Sequence, residues 1–234
     1  MTILEMTKLK IKGGWRKITK WAIWSLVLIL FLVFFIRVVV FENNYYHEKE
    51  GSERAVAEQV DTGEELDETK PTDAEVAEYT VAPDRPRYLT IERLGVTNAR
   101  IISMGVNTSG ELDTPNNIFD VGWYEGSGKP GEGGTMLIDG HNGGPHIHGV
   151  FKNLPTLAVG DVIKVERGDG AVFTYKVAEN VTVPLAESNQ YMSTASESPE
   201  EGVESVTLIS CTGEWSQAQG TYLSRQFTRA VLVE

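Results

Sequence analysis

From Pro86 onward the chain shows no long amphipathic helical pattern. Short apolar or alternating runs recur roughly every ten to fifteen residues, each closed by a turn signal. The runs are Arg87–Ile91, Ala99–Met104, Thr135–Ile138, Val162–Val165, Val172–Val177, Val181–Val183, Val206–Ser210 and Arg225–Val233. Glycine-rich stretches such as Gly126-Ser-Gly-Lys-Pro-Gly-Glu-Gly-Gly134 and Gly168-Asp-Gly170 separate them. Regular strands and turns of this kind predict a mostly β fold, a single closed β-barrel. Short helices are expected around Gly149–Leu154 and Ala186–Ser193. Gly131-Glu-Gly-Gly134 precedes a strand rather than a helix, so it reads as a turn and not as a phosphate loop.

The first 85 residues have a different texture. From Trp21 to Phe41 the only strongly polar or charged residues are Ser25 and Arg37. As a helix this stretch spans roughly 31 Å, one hydrocarbon thickness. Residues 1–41 carry seven Lys/Arg and one Glu, whereas residues 42–85 carry fourteen Asp/Glu and four Lys/Arg. The positive-inside rule then places the N-terminus in the cytoplasm and all that follows Phe41 outside. The expected organisation is a basic cytoplasmic tail (1–20), one N-terminal transmembrane helix (21–41), an acidic flexible linker (42–85) and an extracellular β-domain (86–234), in a single-pass plasma-membrane protein. A cleaved signal peptide is the rival reading, but no small-residue cleavage site follows the apolar run. Within the linker, Ala55–Gln59 and Asp73–Glu78 could form transient helix. The net charge of −12 argues against nucleic acid as a partner, since phosphate binding needs a basic face.

The chemistry-bearing residues are few. Cys211, the only cysteine, ends the run Val206-Thr-Leu-Ile-Ser, and a lone cysteine supports neither an internal disulfide nor a thiolate zinc site. It is either a buried small hydrophobe or a nucleophile. His141 follows Thr135-Met-Leu-Ile-Asp-Gly140, where Gly140 is expected to allow a sharp turn. Arg225 opens the last run and is a permanent cation suited to holding an oxyanion. Nucleophile, proton carrier and cation are the parts of acyl transfer through a thioester. His146 and His148 lie in the same stretch as His141, and Arg229 shares the face of Arg225 at period two, where an ion pair is expected.

Together with their surroundings these residues resemble the sortase family, membrane-anchored cysteine transpeptidases of bacterial surfaces. The resemblance covers Pro86 to Glu234. Ile91-Glu-Arg-Leu-Gly-Val, Gly110-Glu-Leu-Asp-Thr-Pro115 and Val121-Gly-Trp-Tyr124 look like family landmarks. Pro130-Gly-Glu-Gly-Gly-Thr-Met-Leu-Ile-Asp-Gly-His141 is similar to the strand that delivers the catalytic histidine. Thr207-Leu-Ile-Ser-Cys211 is similar to the family's Thr-Leu-x-Thr-Cys, with Ser210 keeping the hydroxyl, and Arg225-Gln-Phe-Thr-Arg-Ala resembles its last strand, more polar than usual at Gln226 and Thr228.

The resemblance implies a mechanism. Cys211 attacks a carbonyl in a C-terminal sorting signal of an exported protein, His141 protonates the departing amine, and Arg225 holds the carbonyl or oxyanion. The acyl group passes to an amine of a cell-wall precursor or a pilin lysine. Thr207 and Ile209 would line the substrate groove, between walls formed by the loops Pro184–Glu204 and Thr212–Thr221, the latter with Trp215. No cofactor and no metal are implied; calcium stimulates some members of the family, but no acidic residues here are grouped so as to name ligands. The alternatives are a non-catalytic surface adhesion or scaffold module with an inert cysteine, and an L,D-transpeptidase-like cell-wall enzyme, whose Ser/Thr-His-Gly-Cys signature is missing before Cys211.

Overall fold

The computed structural model describes residues 66–106 and 112–234, together with Arg37. In them the apolar runs become eight strands: β1 (Pro86–Ile91), β2 (Val96–Met104), β3 (Val121–Tyr124), β4 (Thr135–Gly140), β5 (Val162–Arg167), β6 (Val172–Pro184), β7 (Ser205–Ser216) and β8 (Thr221–Leu232). They close into a barrel in the order β1-β2-β3-β4-β7-β8-β6-β5. The pairs β2/β3 and β4/β7 are parallel, and the others are antiparallel. Two short α-helices, α1 (Asp73–Glu78) and α2 (Leu185–Ala195), and two 3-10 turns, Glu92–Leu94 and Leu154–Thr156, complete the described elements; the helix expected around Gly149–Leu154 is only the second of these turns.

Alternation along the strands sets the two faces. Leu89, Ile91, Ile101, Val121, Trp123, Met136, Ile138, Ile163, Val165, Val206, Leu208 and Ala230 point inward and form the barrel core. Each fully buried Val, Leu, Ile or Met among them contributes about 1.5–3 kcal/mol relative to exposure. A second cluster lies outside the barrel, where Tyr191, Met192 and Ala195 of α2 cover Val183, Ile209 and Phe227. The unusually polar Gln226 and Thr228 share the inward face with Ala230. Both donate to Asn180 Oδ1 at 2.6 Å, and Thr182 donates to Gln226 Oε1 at 2.7 Å, so the polar end of the interior is hydrogen-bonded throughout. The turn Gly131–Gly134 has Gly131, Gly133 and Gly134 at positive φ, and the Glu204 carboxylate accepts the N–H groups of Gly131 and Gly133.

Several expectations are corrected. Val172–Val177 and Val181–Val183 belong to one strand, β6, which bulges between Val177 and Glu179. Val121–Tyr124 is a strand, too short and too interrupted by Gly122 to be read from periodicity. Cys211 does not end its strand: β7 continues to Ser216 and turns at 217–220 into β8, so most of Thr212–Thr221 is a β-hairpin. Arg225 accordingly lies four residues inside β8.

The acidic stretch before the barrel was expected to be a flexible spacer. From Leu66 to Arg85 it is instead laid along the barrel wall. Thr72 and Glu75 make a capping box that starts α1. Tyr79 Oη donates to Ile101 O at 2.6 Å, Arg87 Nε donates to Tyr79 O at 2.8 Å, and Tyr88 Oη donates to Val76 O. Residues 42–65, the tail 1–20 and, Arg37 apart, the expected membrane span 21–41 lie outside the described residues. Among the described residues no helix is long and apolar enough to cross a membrane.

Candidate active site

The antiparallel register of β7 and β8 pairs Cys211 with Arg225, Ile209 with Phe227 and Thr207 with Arg229. All six belong to the outer face, because Leu208 and Ala230 between them face the core. Cys211 is half-buried. The guanidinium of Arg225 donates from Nη1 to the carbonyls of Tyr222 at 2.9 Å and Ser224 at 3.1 Å, and from Nη2 to Thr221 Oγ1 at 3.2 Å. These bonds hold the cation on its own strand, turned toward the hairpin.

β4 brings the histidine to the same place. β4 and β7 run parallel with Ile138 beside Leu208 and Asp139 beside Ile209. At the next step Ser210 Oγ donates to Gly140 O at 2.8 Å. Continuing the register once more sets His141 level with Cys211, on the outer face. Gly140 is needed for space rather than for a special φ: a Cβ there would lie 2.7 Å from the Phe151 ring. The chain then enters the loop 141–149, where Gly149 N and Phe151 N donate to Asn142 O and His141 O at 2.8 and 2.9 Å. His141 Nε2 is 2.8 Å from Pro115 O. A carbonyl oxygen only accepts, so Nε2 carries the hydrogen and Nδ1 is the nitrogen left to take up a proton.

Burial disfavours the charged form of both groups. Burial pushes the Cys211 thiol above its ordinary range; the positive charge of Arg225 opposes this and the Asp139 carboxyl adds to it. Burial pulls His141 below the usual imidazole range, partly offset by the bond to Pro115 O. Asp139 is pushed up to about 7 by burial, against a hydrogen bond from Thr114 Oγ1 at 2.6 Å.

Some expected site residues take other parts. Thr207 is fully buried and donates to Ala195 O at 2.7 Å, and Ile209 is only 8% exposed beneath α2. The helix in the 184–204 segment therefore covers both, and neither offers surface to a peptide. Trp215 is exposed on the hairpin and stacks edge-on against Tyr222. Arg229 is buried, pairs with Glu179 and donates to Glu197 O at 3.1 Å. His146 Nδ1 lies 2.9 Å from Glu68 Oε2, and both histidines beyond His141 are exposed. A cleft of about 660 Å³ opens on the other side of His141, bounded by Leu66, Asp67, Ile102, Met104, Thr114 and Pro115. Sequence reasoning passed over Asp139, Thr114 and Pro115 as site residues, although each falls within a motif it singled out. Among the described residues no group of three or more His, Cys, Asp or Glu is arranged to hold a metal ion.

A family profile described as "Sortase domain" matches residues 89–233. No curated protein matches the chain. Among solved structures, sortase C-1 of Actinomyces oris is 23% identical, with 80% of this chain and 99% of that one covered and a TM-score of 0.46. The sortase D5 transpeptidase of Clostridium perfringens is 22% identical over 70% of this chain and 91% of that one, with a TM-score of 0.45. The pilus-related sortase C of Group B Streptococcus is 17% identical over 80% and 91%, with a TM-score of 0.48.

Proposed function

Because this chain belongs to the sortase family, its domain spanning residues 89–233, we propose that it is a cysteine transpeptidase in which Cys211, His141 and Arg225 carry the reaction. The observation that supports this most directly is the pairing of Cys211 with Arg225 across β7 and β8, with His141 directly after β4, where the register continued two steps past Asp139 and Ile209 sets it level with Cys211. The Cys211 sulfur attacks a backbone carbonyl in the sorting signal of an exported protein, and the thiol proton passes to His141. Arg225 stabilises the charge that develops on the carbonyl oxygen, as a fixed cation aimed where charge appears. The tetrahedral intermediate collapses with the C–N bond breaking, and His141 returns the proton to the leaving amine. An acceptor amine, from a cell-wall precursor or a pilin lysine, then attacks the thioester, gives its proton to His141 and releases Cys211.

The apolar span 21–41 anchors this chemistry to the outer surface of the plasma membrane in the same reading. The test is a library of sorting-signal peptides with triglycine as acceptor, followed by mass spectrometry of the enzyme. A peptide acyl adduct on Cys211 and a peptide–triglycine product are expected. A chain whose native thiol forms no adduct and resists small electrophiles would instead be a surface scaffold with an inert cysteine.

A further inference from the structure

Four residues close a ring behind the imidazole. Asp139 lies in the last turn of the pleat of β4 and His141 follows directly after its end at Gly140, two residues on, so extended backbone sets both on the same side. Asp139 Oδ2 accepts from Thr114 Oγ1 at 2.6 Å, and the next residue, Pro115, offers its carbonyl to His141 Nε2 at 2.8 Å. The chain therefore runs Asp139, Thr114, Pro115, His141 and back to Asp139 through Gly140. The ring is stiff where it needs to be. Proline has a fixed φ, and the residue before it favours extended backbone, so fewer backbone torsions are free between the Thr114 hydroxyl and the Pro115 carbonyl.

The neighbouring strand is shaped around this ring. A Cβ on Gly122 would lie 2.6 Å from Asp139 Oδ1 and 2.9 Å from Pro115 Cδ. The register sets Gly122 directly opposite Asp139. Pro115 is buried although Thr114 and Asn116 on either side are exposed. Two landmarks that the sequence offered without a role, Asp113-Thr-Pro115 and Val121-Gly-Trp, thus meet at one carboxyl.

We propose that Asp139 is a positioning residue for the transpeptidation reaction: through Thr114 it holds the Pro115 carbonyl that keeps His141 in one ring orientation and one tautomer. It touches neither substrate nor the reacting atoms. A histidine that moves protons needs a third group to orient it, and here that group is a carbonyl whose position the carboxyl sets. The inference rests on His141 being the proton carrier.

The test uses the full-length chain. Nitrogen-15 NMR of the His141 side chain reads the tautomer without any substrate; turnover is measured on the fastest peptide of the sorting-signal library with triglycine as acceptor. In the unaltered protein the neutral ring is expected to carry its hydrogen on Nε2. Asp139→Ala and Thr114→Val are expected to mix the tautomers and to lower kcat roughly tenfold or more, the scale of misplaced catalytic groups, with KM changed less than about twofold. Asp139→Asn keeps an acceptor for Thr114, and Thr114→Ser keeps the hydroxyl; both are expected to recover most of kcat. Thr114 is exposed, so Thr114→Val tests the ring even where Asp139→Ala fails to fold. Unchanged tautomer and kcat in Thr114→Val would overturn the proposal, as would an Asp139→Asn protein as slow as Asp139→Ala. His141→Ala separates the two levels: loss there with none at Thr114 and Asp139 overturns the positioning role alone, whereas full activity without His141 removes the catalytic reading and this proposal together.

Discussion

Ser210 donates its hydroxyl hydrogen to the carbonyl of Gly140 at 2.8 Å, and the residues that follow them are Cys211 and His141. The bond joins two parallel strands at the last step before the proposed nucleophile and proton carrier. Ser210 is buried, so replacing it by alanine leaves the Gly140 carbonyl without this partner. Ser210→Ala is expected to cost about 1–3 kcal/mol in denaturant unfolding and to slow turnover, while Ser210→Thr restores both. Equal stability of the alanine variant and the unaltered protein would contradict this.

Arg225 and Arg229 should separate by readout. Both face outward on β8, but Arg225 pairs with Cys211 and Arg229 with Thr207, away from the thiol. Arg225→Ala should lower kcat by a factor of ~10² or more, the scale for one lost oxyanion donor, with little loss of stability. Arg229 is buried and bonded to Glu179 and Glu197, so Arg229→Ala should lower the melting temperature while leaving kcat of the folded fraction near normal. Thermal melts and turnover at saturating peptide decide it; the larger kcat loss at Arg229 would reverse the roles.

The thiol should titrate high. Burial disfavours the thiolate of Cys211, Arg225 favours it and the Asp139 carboxylate disfavours it. The rate of alkylation by iodoacetamide against pH should therefore have its midpoint above the ordinary thiol range. Removing the cation in Arg225→Ala should move it further up, and removing the negative charge in Asp139→Asn should move it down. Shifts in the opposite directions would show that these charges do not act on the sulfur.

The folded unit should include the segment from Leu66 to Arg85. Tyr79 bonds to Ile101 O, Val76 accepts from Tyr88, and Glu68 accepts the N–H groups of His146 and Ile147 at 2.8 and 3.1 Å in the loop that follows His141. Removing residues 1–64 should leave stability and turnover unchanged. Removing residues 1–80 should lower both, because Tyr88 Oη, Arg87 Nε and two N–H groups of the histidine loop lose their partners. Circular-dichroism melts of the two truncations check this; equal melting points would return residues 66–80 to the status of a spacer.

Much of the β architecture was legible because its signals are local. Alternation along Val206–Ser210 and the glycines around 131–134 act over a few residues, so strand and turn could be read without knowing what they touch. The barrel ends that were misread are those where pairing, not pattern, sets the length. Residues 212–216 are polar and glycine-containing, yet they are strand because β8 lies beside them. The segment 66–85 looked like spacer by composition, and its tyrosines and one carboxylate dock it nevertheless.

The sequence by itself determined which chemical groups the chain owns: one thiol, a histidine after a glycine at the end of a strand, and two arginines on one face of another. Tertiary structure alone decided how they stand. The pairing of β4 with β7, strands 65 residues apart in the chain, levels His141 with Cys211. α2, packed on β6 and β8, covers Thr207 and Ile209, and the segment between β2 and β3 brings Thr114 and Pro115 against Asp139 and His141. Orientation, burial and proton affinity are properties of neighbours, and these neighbours are set by contacts between segments that no local pattern connects.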